Sequence, residues 1–398
     1  MATANPIPDS VNTPASPAGR LLVLLTAAPQ DQLENALASL ANSFAEEDLL
    51  IAAPENFASS SYPALQFLPI PAANPSWTLT AADFVNAWQL AEKNHARAIL
   101  ILGVGAGSLG LPALRELASG VMSSPTDLAL PCYDLPPHAG LLNSAILYPL
   151  SRAMFSSHAR FPLGLDLGLS LRMAERLART AQRFIALHQG DTPIWPVNEA
   201  AVAGFSIQEF EAGPRVLPQP AEPDLSLIFP LVTGSLFSDI DAKAAFWQRA
   251  RQSFSTRDHA PVAHPPPGDT PPDIASMLQA FRLAYSNLQE IWSLVLPPNS
   301  LLGLKRLYVA EPEAFRMPES LWARIVFDFL LAYRLRTINR KHLLGALIPL
   351  YRAWVASHIN ITFSGVNPEQ HIEAVAAAFE SEKPYIVSRW RWPDRFNP

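Results

Sequence analysis

Two patterns of apolar positions divide the chain. In the first half, short apolar runs alternate with longer segments in which apolar residues return every three or four positions. The short runs lie at 20–25, 48–51 (closing at Pro54), 65–68, 98–102 and 127–132. The longer ones lie at 30–44, 80–94, 111–121, 140–155 and 169–188. A strand covered by helices on both faces reads as a continuous apolar run, and its alternation with helical periods is the signature of βαβ units. The pattern therefore predicts an α/β fold with a doubly wound, mostly parallel sheet. Thr80, with Asp83 three residues on, is the expected cap of the second helix.

Prolines cluster over 214–223, and helical periods dominate from there on. Helices are expected at 239–254, 273–296, 318–336, 340–358 and 368–382, with a Pro-rich loop at 259–272. Ile274, Leu278, Phe281, Tyr285, Leu288, Trp292 and Val295 form one apolar stripe, and Trp322, Val326, Phe329 and Tyr333 form the next. These aromatics are expected in a core. Ile325, Phe327 and Leu330 fall off the second stripe, so that helix is apolar on more than one face. This predicts a central position or a contact with a second copy, hence a homodimer through the helical part. In the tail, Arg389, Trp390, Arg391 and Trp392 alternate. As an extended strand they would put both indoles on one side, either packed on the helices or free to stack on a sugar ring. The expected organisation is a disordered leader over 1–19, an α/β domain over 20–235, a helical domain over 236–387 and an Arg/Trp tail over 388–398.

Composition narrows the function classes. The 398 residues are 49% hydrophobic and 16% charged, enough for large cores and unlike a disordered chain. A net charge of −6 gives no electrostatic footprint for nucleic acid. Residues 1–19 lack the basic and apolar parts of a signal peptide, and no uninterrupted apolar run of about 18 residues suggests a membrane span. The single cysteine, Cys132, lies in an apolar run and reads as a buried thiol. A cytoplasmic setting is the expectation.

One fingerprint and one longer resemblance carry candidate chemistry. Gly105-Ala106-Gly107-Ser108-Leu109-Gly110 fits G-x-G-x-x-G after an apolar run, with Asp134 beyond the next run. That is a dinucleotide-binding pattern, although at least two strands precede it and a plain strand-to-helix turn uses the same residues. More telling is the stretch from Asp127 to Ser170. Tyr133, Gly140, Asn143, Pro149, Leu150, Pro162, Gly164 and Asp166 fall on one pattern. An aromatic and polar pair ends a strand, a Gly-containing loop follows, and a Pro-Leu-Gly turn carries an acid two residues on. This resembles retaining GT-A glycosyltransferases of the glucosyl-3-phosphoglycerate synthase and mannosylglycerate synthase type, over roughly residues 21–213.

The resemblance implies a GT-A-like domain and transfer of a sugar from a nucleotide-sugar donor to a small polar acceptor. It implies Asp166 as the catalytic carboxylate. Tyr133, Asp134, His138, Gly140, Asn143, Arg160 and Gly164 would hold substrate, and Thr26, Glu55, Gly103 and Gly105 the nucleotide. Four departures qualify it. Gly103-Val104-Gly105 stands where the family carries Asp-x-Asp for its Mg or Mn ion. No histidine follows 208–213 for the same ion. Residues 83–86 replace a Gly-Lys-Gly step. Leu141 stands where an arginine would hold an acceptor phosphate. No cofactor is therefore expected, since the ligands of a divalent ion are lost. Arg160 or Arg215 is a candidate to supply the missing positive charge. The alternative is a degenerate homologue that binds or scaffolds, and a dinucleotide enzyme is a lesser one.

Each residue also has a plain structural role open to it. Asp166 suits the cap of a helix starting near Leu167, where Asn would serve as well. His138 and Glu55 suit exposed positions, Asn143 a helix start, and Arg160 an ion pair with a carboxylate.

Overall fold

The computed structural model describes residues 20–45, 48–55, 57, 62–63, 65–71, 73–74, 76–123, 125–217, 225–249 and 273–393. The leader, the loop expected at 259–272, the end of the helix expected at 239–254 and the tail beyond 393 lie outside them.

Apolar runs become strands wherever both faces are covered. In chain order the first half is β1 (Leu21–Leu25), α1 (Gln30–Ala41), β2 (Leu49–Pro54), β3 (Gln66–Ile70), α2 (Ala81–Lys93), β4 (Ala98–Leu102), α3 (Leu111–Met122), β5 (Leu128–Asp134), α4 (Tyr148–Phe155), β6 (Asp166–Ser170), α5 (Leu171–Ala186), α6 (Pro196–Ala203) and β7 (Ile207–Pro214). The seven strands form one sheet in the order β3-β2-β1-β4-β6-β5-β7. The doubly wound expectation holds, since α1 and α3 pack on one face of the sheet and α2 and α5 on the other. Thr80 closes a full capping box with Asp83 at the start of α2.

Two strands were not expected. β6 runs antiparallel between β4 and β5, pairing Leu102 with Asp166 and Ala98 with Ser170. Residues 166–170 begin a strand rather than a helix, and the cap of α5 is Ser170, which accepts from Met173 N at 3.3 Å. Asp166 is therefore not a helix cap. β7 is an edge strand beside β5, with a register shift beyond the Cys132–Glu211 pair that leaves Ala212 over before Tyr133 meets Gly213.

The second half is helical: α7 (Leu225–Ala242), α8 (Ala244–Trp247), α9 (Ile274–Asn287), α10 (Gln289–Val295), α11 (Pro298–Tyr308), α12 (Glu319–Leu335), α13 (Arg340–Phe363), α14 (Pro368–Ser381) and α15 (Lys383–Arg391). The helix expected over 273–296 breaks at Leu288, and the helix expected from 239 begins at Leu225. The domain boundary placed at 235 thus falls inside α7. By length and composition α7 suffices to cross a membrane, yet Phe229, Val232, Leu236, Phe237 and Ile240 of α7 are buried in the core.

One hydrophobic core joins the helices to the sheet domain, running from Leu141 and α4 through α7 and α12 to Trp390. Ile325 and Phe327 are fully buried within it. The α14 and α15 helices cover α12, so the apolar face that suggested a homodimer is satisfied within the chain. The Arg/Trp alternation is helical, not extended. Arg389 pairs with buried Asp328 and Trp390 meets Trp247 edge-on, while Arg391 and Trp392 are exposed. The packing alternative is observed for Trp390 and not for Trp392.

Candidate functional site

The carboxyl ends of β1, β4 and β5 and the start of β6 converge, which is where open α/β sheets place their ligands. At the centre is Asp166, with no exposed surface. It accepts from Gly103 N at 3.0 Å, from Tyr133 OH at 2.7 Å, and from Arg215 Nε and Nη2 at 3.0 and 3.3 Å. Burial, and then the negative charge of Asp166, pushes the Tyr133 hydroxyl well above its ordinary range, so it donates and stays neutral.

Arg215 follows the irregular stretch of β7, and its side chain is as inaccessible as that of Asp166. A guanidinium has five N–H groups. Besides the two on Asp166, Nη1 reaches Ser108 Oγ at 3.2 Å and Val216 O at 3.0 Å, and Nη2 reaches Val104 O at 3.0 Å. Every donor is committed. The cation lies against Gly103-Val104-Gly105, where the resemblance puts the metal-binding carboxylates.

Both glycines there are required by their neighbours. A Cβ on Gly103 would lie 2.8 Å from Leu165 O, because β4 and β6 approach closely. Gly105 has φ +80°, and a Cβ on it would lie 2.8 Å from Arg215 Nη1. An Asp-x-Asp step does not fit here without moving backbone. The carboxylate at the centre of the site, Asp166, is already bidentate on arginine, so it does not fit a divalent ion. Among the described residues no group of three or more His, Cys, Asp and Glu side chains is placed to hold one.

The wall around Arg160, expected to meet an acceptor, is also filled from within the chain. Arg160 Nε donates to Glu369 Oε1 at 2.7 Å and Nη2 to Ser144 Oγ at 3.0 Å, and the arginine is buried. Glu369 opens α14. One turn on, Glu373 accepts from Tyr148 OH at 2.6 Å and from Arg152 Nη1 at 2.5 Å, and Glu380 pairs with Arg152 Nη2 at 3.0 Å. α14 thus lays carboxylates along the cationic wall of α4. Trp322 Nε1 bonds Ala145 O at 2.8 Å and pins α12 to the π-helical turn Asn143–Leu147 that leads into α4. The space left between Cys132, Pro136, Arg160 and Glu369 is about 20 Å³, room for one water.

The other expected residues divide accordingly. Asn143 is the first residue of the π-helical turn, as a helix-start residue would be, and its Nδ2 donates to Arg160 O at 2.9 Å, which orders the arginine's loop. Gly140 and Gly164 have φ +63° and +64° and serve as turn residues. Asp134 ends β5, half-buried. His138 is half-buried rather than exposed. It lies 5.8 Å from the Phe363 ring, its Nε2 has no partner among the described residues, and burial lowers its pKa. Thr26 is buried, with its backbone N on Leu102 O at 3.1 Å. Glu55 is exposed at the end of β2. Tyr133, Asp166 and Gly103 come together, with Gly105 beside them, while Glu55 stands apart. The fingerprint 105–110 forms a 3-10 turn, Ala106–Ser108, against α1. β6 separates β4 from β5, so Asp134 is not on the adjacent strand that a dinucleotide site requires.

No protein-family model matches the sequence, and no curated protein matches it. Solved structures do. Glucosyl-3-phosphoglycerate synthase from Mycobacterium tuberculosis, in complex with Mn2+, uridine diphosphate and phosphoglyceric acid, is 10% identical with a TM-score of 0.36, covering 56% of this chain and 78% of that one. The same enzyme with Mn2+, UDP-glucose and phosphoglyceric acid is 11% identical with a TM-score of 0.37, covering 56% and 80%. A mycobacterial protein is 10% identical with a TM-score of 0.37, covering 56% and 75%. At these values the likeness carries no statement about activity.

Proposed function

We propose that this chain is a glycosyltransferase-like protein that binds rather than transfers, its transfer site closed by its own side chains. The observation that carries this is the saturation of Arg215. All five of its N–H groups are used inside the protein, and none remains for a sugar diphosphate. The second support is α14, whose Glu369 and Glu373 occupy the cations that would meet an anionic acceptor.

A second reading, transfer without a metal, is favoured by the position of Arg215 against Gly103 and Gly105. It requires a diphosphate to displace Asp166 and the Val104 carbonyl, trading one set of charge-assisted bonds for another.

Thermal melting with uridine, guanosine and adenosine diphosphate sugars, with and without Mn2+, separates the two. A ligand at about 100 times its Kd adds about 2.7 kcal/mol of stability. The closed site gives no shift and no release of nucleotide diphosphate. Metal-free transfer gives a shift that EDTA leaves intact. A shift that needs Mn2+ overturns both.

A further inference from the structure

Away from the closed site, a cleft of about 880 Å³ runs between α5 and α7. That volume is in the range of small-molecule sites. Arg172, Arg176, Arg179 and Arg183 are spaced four, three and four residues apart, so they form one face of α5. Lys243 and Arg340 stand among the other lining residues. The opposing carboxylates there are Glu175, Glu199 and Asp239, half as many as the cations. In a chain of net charge −6 this concentrates positive charge in one concavity.

Most of these cations are spoken for. Arg172 pairs with Asp127, Arg176 with Glu199 and Arg179 with Glu175, while Lys243 holds Glu199 and Asp239. Arg183 and Arg340 have no carboxylate partner among the described residues. Arg340 is held by Nε on Tyr333 O at 3.1 Å, with its guanidinium 4.1 Å from the Tyr333 ring centroid. A fixed guanidinium with unpaired terminal nitrogens suits an oxyanion of phosphate type. Hydroxyls line the same cleft. Ser238 Oγ donates to Gly234 O at 2.9 Å, so in its 3.0 Å contact with Tyr333 the phenol donates and the tyrosine oxygen keeps lone pairs for an incoming O–H. Phe184, Ile194 and Pro230 add apolar surface.

We propose that this cleft binds a hydroxylated organic phosphate, with Arg183 and Arg340 on the phosphate and Tyr333 accepting from a hydroxyl. It supplies a ligand class for the binding role above, yet shares no residue with the Asp166–Arg215 site. The nucleotide-sugar panel therefore tests the other reading alone.

Calorimetric titration of the full chain with glucose 6-phosphate, inorganic phosphate and glucose tests it. Glucose 6-phosphate is expected to bind, at least about tenfold tighter than inorganic phosphate, and glucose not at all. R183E/R340E should weaken binding at least about tenfold while keeping a cooperative melting transition, and R183E alone should weaken it with melting unchanged, because Arg183 is exposed. R183Q/R340Q serves if the reversal does not fold. Y333F should weaken glucose 6-phosphate and leave phosphate as it was. The proposal is overturned if no glucose 6-phosphate binds at millimolar concentration, or if any of the arginine variants binds it as the parent does. Phosphate binding as tightly as glucose 6-phosphate removes the role of Tyr333.

Discussion

Replacing Arg215 by Met removes a buried cation of nearly the same length and leaves Asp166 with only Gly103 N–H and Tyr133 OH as donors. Both partners are wholly inaccessible, so solvent screening offers no discount. Breaking one side of such a pair costs about 3–5 kcal/mol, because the remaining charge stays buried and uncompensated. The Ser108 hydroxyl and the Val104 and Val216 carbonyls lose a donor as well, but Ser108 and Val216 are exposed and Val104 is half-buried, so water replaces it there and the cost stays with the ion pair. Asp166→Asn should be similarly harmful from the other side, whereas a helix cap would accept Asn without loss. The double replacement R215M/D166N removes both charges and should be less destabilised than the two single losses added together. The coupling expected for groups in direct contact is about 0.5–3 kcal/mol. Urea unfolding of the four proteins, monitored by circular dichroism and tryptophan fluorescence, supplies the cycle. If R215M costs less than about 1 kcal/mol, the site is hydrated and open to ligand, and the closed-site reasoning fails.

Placing a carboxylate in this turn, G105D, should destabilise by about 1–3 kcal/mol because position 105 is left-handed and faces Arg215. It should gain no stabilisation from Mn2+ in thermal melting; a saturable Mn2+ shift would refute the fit argued for that position. E369Q should leave Arg160 with a neutral partner at a cost of about 1–3 kcal/mol in urea, and a neutral result would show that α14 is not held there by charge. The buried His358 is kept neutral, its pKa pushed down to about 3 from 6.5 by burial, so the unfolded chain takes up a proton that the folded one refuses. Its contribution is full above pH 6.5 and declines towards pH 3, at no more than about 1.4 kcal/mol per pH unit. Asp328, raised by burial from 3.8 to about 7, acts with opposite sign between those values, so the stability curve of H358Q should be subtracted from that of the parent. A difference curve flat from pH 7 to 4 would refute the assignment to His358.

The parts of the fold legible in the sequence are those where one force acts alone. β1, β2, β4 and β5 are buried on both faces and read as apolar runs. β6 carries Asp166 and Gly168, and only the packed structure shows why. A Cβ on Gly168 would meet Leu117 O at 2.6 Å, so glycine is imposed by α3. β7 is half-exposed, and its mixed residues give no apolar run. Asp166 was legible as a residue of consequence but not in its role, since the pairing with Arg215 joins positions 49 apart. Nothing local to Glu369 announces Arg160, 209 residues away. Arg389 and Trp390 alternate as on a strand, yet each finds a buried partner only on a helix, Asp328 and Trp247.

The closure is cooperative, each contact depending on the next. With a Cβ at 105, Arg215 would lose its place against the Gly103–Gly105 turn; without Arg215, Asp166 would be a buried lone charge; without Asp166, Tyr133 would lose the acceptor of its phenol. On the α4 side, Glu369 on Arg160, Glu373 on Tyr148 and Trp322 on the Asn143–Leu147 turn tie three separate points of one wall to α12 and α14. The hydrophobic core that includes α4 continues into both helices. A ligand entering the site would have to break the Arg215 network and lift α14 together, at a cost set by two buried ion-pair systems rather than one. The cleft along α5 asks for no such rearrangement, since its volume is open and Arg183 and Arg340 already lack carboxylate partners among the described residues. The physical asymmetry between the two concavities places the accessible binding chemistry of this chain on the outer face of α5.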